Sequence, residues 1–240
     1  EANAARTLGK WKRPLARATK QPASVPPRPP ARHVYLIDRP GSEQADFRVG
    51  NLAVARSDAD YFPLLVANAV LGGERTGSRL FMNLREQKGY TYDVYSAVSA
   101  QKRGGTFFGG SATRTEVTLL AIQEMIVEFS RLRDEEVSAQ ELQNAKNYLT
   151  GSFSISLSTE GGIADEILQI RLLGLSADYL KTYRARIEAV TAIDVQRVAR
   201  KYILIDRPTI VVVGDAAKLK EALPVLGPIT VLKARGNLKK

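Results

Sequence analysis

The stretch SRLFMNLREQKGYTYDVYSA, residues 78–97, changes its reading halfway along. The first half is an amphipathic helix, Gly89 stops it, and YTYDVYSA continues as a strand carrying three tyrosines. A helix feeding a strand through so short a link places Arg85 on the last helical turn and Tyr92 at the mouth of the strand. Whether that pair is packing or chemistry has to be decided from the rest of the chain.

Working outward, HVYLIDR and EQADFRVGNLAV read as short strands, and DADYFPLLVANAVLGG as a buried helix closed by Gly72 and Gly73. YDVYSAVSAQ and GTFFGGSAT read as a hairpin across KRGG. TEVTLLAIQEMIVEFSRLR places Leu119, Ile122, Ile126, Phe129 and Leu132 on one helical face. Ser138 and Glu141 form a capping box, followed by an apolar stripe of Leu142, Ala145, Leu149 and Phe153. ISLSTEGGIADEILQIRLLG and ADYLKTYRARIEAV continue the helical run. Thr191, with Asp194 in the box position, starts TAIDVQRVARKYI, and RPTIVVVGD is a β-branched buried strand. Strands, helices, strands, helices and a strand give an α+β fold: a mixed, largely antiparallel sheet packed on a helical layer.

The organisation follows from composition. Residues 1–30 end in PASVPPRPP, whose prolines favour an extended basic linker. Residues 31–232 form a single domain, and 233–240 a basic tail. The net charge of +10 suggests nucleic acid, but its distribution does not. Residues 1–30 carry seven Lys and Arg against one acid, and the last eight residues carry four against none. The remaining 24 basic and 24 acidic residues cancel, so the body is neutral and no nucleic-acid partner is expected. No apolar run reaches the ~18 residues of a membrane span. The chain begins EANAARTLGKWK, without an initiating Met or a signal-peptide core, and reads as a processed chain or a piece of a longer one.

Most familiar chemistries are excluded by composition. There is no cysteine, and His33 is the sole histidine, so no thiolate or two-histidine metal site can form, and no Ser-His-Asp unit can exist with its base anywhere but His33. His33 opens a strand and reads as structural. The acidic run Asp134, Glu135, Glu136 reads as a solvated turn. GGERTGSRL has phosphate-loop spacing, but Ser78 stands where Lys is required. Gly214 and Asp215 end a strand without a G-x-G-x-x-G after them. The chain alone holds no complete catalytic apparatus and no metal ligands.

NAVLGG, SRLFMNLREQKGYTYDVYSA, SAQELQNAKNYLTGSF, VTAIDVQRVARKYI and VVVGD, in this order, resemble the pitrilysin-type zinc metallopeptidases, which include the mitochondrial processing peptidase. The likeness runs from about Val34 to Asp215, and Trp11 in LGKWK resembles the segment connecting the two halves of such subunits. Family members consist of two similar halves, of which one carries the zinc motif H-x-x-E-H. The resemblance implies that this chain is the other half, or the zinc-free partner subunit, and is inactive alone. No cofactor is then expected in it, with zinc in the partner half. The resemblance further implies that Arg85 and Tyr92, seven positions apart, act in trans on the substrate side of that zinc site, and that Gly72, Gly73 and Gly77 form a loop meeting the incoming peptide.

The side chains suit these roles. A phenol is a neutral hydrogen-bond donor for a carbonyl oxygen on which negative charge develops. A guanidinium offers five donors for peptide carbonyls or a carboxylate. The alternatives are plain packing: Arg85 as a charge in the last helical turn, Tyr92 as a strand aromatic, Tyr90 as the residue in the functional register, and the glycines as a helix connection. The segment around Phe107–Gly110 reads as an edge strand able to add an extended peptide, or as a bulge at Gly109 and Gly110. The expected partners are a zinc-bearing homologous half and unfolded peptide substrates, with a homo-oligomer left open. The alternative functions are a degenerate scaffold subunit and a peptide-binding module. The periplasm is the expected compartment, with the cytoplasm as alternative.

Overall fold

The structure is a computed structural model that describes residues 31–74 and 76–233. The linker 1–30 with Trp11, and the tail beyond Lys233, lie outside the described residues.

Six strands form one sheet: β1 (His33–Asp38), β2 (Gln44–Ala53), β3 (Val94–Gln101), β4 (Gly104–Arg114), β5 (Thr209–Gly214) and β6 (Ile229–Lys233), in the order β3-β4-β2-β5-β1-β6. Neighbours are antiparallel from β3 to β5, while β1 runs parallel to both β5 and β6. The sheet is therefore mixed and largely antiparallel, as the sequence predicts. Along β2, Ala45, Phe47 and Val49 are buried while Gln44, Asp46 and Arg48 are exposed, so one face is covered and the other is open. β6 has no counterpart in the sequence reading. Its five residues follow Pro228 and mix Ile, Thr and Lys, too short a pattern to separate from a loop.

The helices are α1 (Tyr61–Asn68), widened into a π-type turn at Ala69–Gly73, α2 (Phe81–Gln87), itself π-wound, α3 (Thr118–Asp134), α4 (Ala139–Ser156), α5 (Glu160–Leu173), α6 (Tyr179–Glu188), α7 (Ala192–Tyr202) and the short α8 (Ala216–Leu219). Both capping boxes form. Ser138 Oγ accepts from Glu141 N at 3.2 Å, and Thr191 Oγ1 from Asp194 N at 3.2 Å, each worth about 1 kcal/mol. The core lies between the sheet and α1, α3 and α7, with Phe107 of β4 against Phe129 of α3 at a centroid distance of 5.3 Å.

Two expectations are corrected. On α3 the buried face is Ala121, Ile122, Met125, Phe129 and Leu132, with Leu119 and Ile126 only half-buried at its rim. Gly109 accounts for this rotation. A Cβ there would stand 2.7 Å from Met125 Sδ and 2.9 Å from Phe129 Cζ, so the bare strand admits that side of the helix. The segment around Phe107–Gly110 is not an edge. Phe107 pairs with Asn51 on one side and Val98 on the other, because β2 takes the flank that the hairpin with β3 leaves free. The edge at this end of the sheet is β3.

Candidate functional site

The polypeptide around Arg85 and Tyr92 is held from beneath by buried polar pairs. On α2, Leu80, Phe81 and Leu84 are buried and face the core. Asn83, also buried, donates to Glu128 at 2.7 Å and to Glu124 at 3.1 Å on α3. Arg79 ahead of α2 grips Glu141 at the start of α4 through two hydrogen bonds, of 2.7 and 3.2 Å. Burial works to raise the Glu141 pKa, but the hydrogen bonds from Arg79 and Ser138 outweigh it and hold the group at about 2. Lys88 adds an ion pair to Glu124 at 3.4 Å. The short helix is thus clamped to two others.

Arg85 projects from the last turn of this clamped helix. Its guanidinium lies 4.8 Å over the Phe81 ring, with Nε 3.6 Å from Glu86, and its side chain remains 43% exposed. Gly89, at φ +63°, ends the helix in the left-handed region and turns the chain towards β3. Tyr90 then tucks partly against the core. Thr91 is buried, with Oγ1 2.7 Å from the Ala112 carbonyl oxygen and 2.9 Å from Ser111 Oγ, and it accepts from Asp93 N at 3.1 Å. Between these pinned residues Tyr92 stands 90% exposed. Arg85, Tyr90 and Tyr92 share a cleft of about 380 Å³ with Gln44 and Arg114, and Tyr92 also borders a neighbouring hollow with Asp46, Arg48 and Tyr95.

The structure thus brings Arg85 and Tyr92 together. Gln44 and Arg114 were not found by sequence reasoning, because they meet only through the β2–β4 register, in which they are paired. The three glycines are not one loop. A Cβ on Gly72 would fall 2.7 Å from Ser96 N, and one on Gly73 would strike the Asn68 amide, so both positions answer to packing. Gly77, at φ +94° with open space around it, alone sits in the turn between α1 and α2.

The donor set does not fit a zinc ion. Among the described residues no three His, Asp or Glu side chains converge to hold a metal, and the His33 ring is engaged with Thr230 Oγ1 at 2.8 Å. A site with these exposed cationic and phenolic groups has the donors to position a peptide and stabilise charge.

Comparison with known proteins identifies the family. The sequence profile described as the peptidase M16 inactive domain matches residues 1–149. Over 219 residues the chain is 30% identical to an uncharacterized zinc protease of Streptomyces coelicolor, covering 86% of this chain and 47% of that protein. It is 32% identical over 167 residues to the uncharacterized zinc protease YmxG of Bacillus subtilis, covering 68% of this chain and 39% of that one. A solved peptidase M16 inactive domain from Pseudomonas fluorescens superimposes with a TM-score of 0.72 at 27% identity, covering 80% of this chain and 45% of that one. The chain belongs to the M16 peptidase family, in its inactive-domain class. It spans less than half the length of the two zinc proteases.

Proposed function

We propose that this chain is the zinc-free, substrate-positioning half of a two-part zinc metalloendopeptidase acting on unfolded peptides, its site completed by a zinc-bearing homologous half. The observation that carries the reading is the exposure of Tyr92 between rigid neighbours. A large aromatic left 90% in solvent contributes almost nothing to the fold. Yet Thr91 and Ser111 fix the backbone on which it stands, and α2 fixes Arg85 beside it. Rigid support under exposed polar tips is what positioning a substrate requires.

In this reading the Tyr92 hydroxyl donates to the scissile carbonyl oxygen as negative charge gathers there. One such donor is worth ~3 kcal/mol, or about a hundredfold in rate. Arg85, with Arg114 behind it, holds peptide carbonyls or a substrate carboxylate. The need for a partner finds support in α5. None of its fourteen residues is buried, and Ile163, Ile167, Leu168 and Leu172 stand about half exposed. An apolar helical face of that width suits coverage by another protein surface.

The test is hydrolysis of a quenched fluorescent peptide by the chain alone, then mixed with a zinc-bearing M16 half from the same source, then in the mixture with Tyr92→Phe or Arg85→Gln. The expected result is cleavage only in the mixture, falling about a hundredfold with the Phe change. Hydrolysis by the chain alone overturns the reading. So does a mixture indifferent to both substitutions, which would make the chain a scaffold. Peptide binding without any effect on the partner's rate would make it a binding module.

A further inference from the structure

A second concavity, of about 540 Å³, lies at the opposite end of the sheet. β2 starts at Gln44 in the Arg85–Tyr92 cleft and ends at Ala53, about 30 Å away at 3.4 Å per residue. The loop 56–60 that follows forms one wall of this pocket. The others are the first turn of α1, the turn 174–176 between α5 and α6, and the facing sides of α6 and α7.

The pocket is lined by three Arg and three Asp, but they are not paired one to one. Asp60 and Asp194 are both committed to Arg197, at 2.6 and 3.4 Å. Asp58 accepts the backbone N–H of Asp60 at 2.9 Å. Arg56 and Arg186 are left with no carboxylate within 4 Å among the described residues. The Arg56 guanidinium is half-buried, lies over the rings of Tyr61 and Tyr179, and donates only to their hydroxyls, at 2.7 Å for Tyr179. Its Nε finds no acceptor. Phenol oxygens are neutral, so none of this cation's hydrogen-bond partners carries a charge, and no carboxylate touches it although it is partly removed from water. Burial raises the Tyr179 pKa, so the hydroxyl stays protonated and keeps its own hydrogen to donate. Arg186 is exposed, 5.5 Å over the Phe62 ring. Phe62, Pro63 and Leu175 supply an apolar wall beside these two cations.

We propose that this pocket binds a carboxylate borne next to an apolar side chain, with the carboxylate between Arg56–Tyr179 and Arg186 and the apolar group against Phe62 and Leu175. Two sources share that chemistry: the free C-terminal residue of a peptide, and a small N-acyl amino acid. The site is independent of any role for Arg85 and Tyr92.

Amide chemical shifts of the intact chain are followed while titrating N-acetyl-leucine, its amide, and a ten-residue peptide ending in leucine with a free or an amidated C-terminus. Both free acids are expected to shift the signals of residues 56–62 and 174–186. The amides should bind at least about tenfold more weakly, as loss of a charge-assisted hydrogen-bond pair implies. Arg186→Gln, exposed and so harmless to folding, should weaken the acids to the same degree, and Arg56→Lys should weaken them without unfolding the chain. A peptide much tighter than N-acetyl-leucine identifies chain ends as the ligand, and equal affinities identify the small acid. Equal binding of acids and amides, or no shift around the pocket at millimolar ligand, overturns the proposal.

Discussion

Asp60 offers the sharpest test of how the helices are joined. Its carboxylate, only 10% exposed, receives Arg197 Nη1 at 2.6 Å, Lys201 Nζ at 2.8 Å and the Tyr202 hydroxyl at 2.9 Å, tying the start of α1 to α7. Burial by itself would raise its pKa. The hydrogen bonds from Lys201, Arg197 and Tyr202 outweigh that and bring it from 3.8 down to about 2. At 1.36 kcal/mol per pH unit, that drop amounts to about 2 kcal/mol of stability carried by the ionised form. Because the folded pKa lies below the unfolded one, the contribution is complete above about pH 4 and disappears as the pH falls towards 2. Asp60→Asn should therefore cost about 2 kcal/mol at pH 7, and the gap from wild type should narrow steadily as the pH falls from about 4 to about 2. Urea unfolding followed by circular dichroism across that range measures it, and comparison with wild type cancels the other carboxylates, Glu141 included. A variant as stable as wild type at pH 7, or a gap that does not narrow with acid, would refute the account.

Two further predictions concern the cleft. Arg85→Gln and Tyr92→Phe should each leave stability within about 0.5 kcal/mol of wild type in thermal melts, since neither side chain is buried; a large loss would make them packing residues. Gly72→Ala, whose new methyl meets the backbone of Ser96 and the Leu80 side chain, should cost about 1–3 kcal/mol, whereas Gly77→Ala should cost about 1 kcal/mol for its positive φ alone; a reversed order in urea unfolding would contradict the packing of the π-wound turn.

The elements legible in the sequence were those specified locally. The capping residues Ser138 and Thr191, the β-branched run of β5 and the glycine stop at Gly89 each act within a few residues, and each stands where the sequence places it. What escaped depends on tertiary contact. The rotation of α3 is set by Gly109 on a strand that periodicity within the helix cannot sense. The interior position of β4 is set by its pairing with β2. The cleft was half legible: Arg85 and Tyr92 are seven residues apart on one connection, but Gln44 and Arg114 join them only through strand register.

The same distinction separates structure from chemistry in this molecule. Residues that hold the fold here are engaged with one another: Asp60, Glu141 and Thr91 have partners at hydrogen-bond distance, and the Asn83 amide nitrogen bridges Glu124 and Glu128. Arg85, Arg114 and Tyr92 are arranged differently, with rigid backbone beneath them and solvent at their tips. An exposed phenol gains little from being held in one place, and ordering its surroundings costs conformational entropy. Buried polar clamps on α2 and a knot of Thr91 and Ser111 hydroxyls fix the backbone on either side of it, on the connection that also carries Arg85. Such order beneath an exposed pair is what the proposed positioning role requires, and substitutions at Arg85 and Tyr92 that leave a partner's rate unchanged would return the chain to a scaffold.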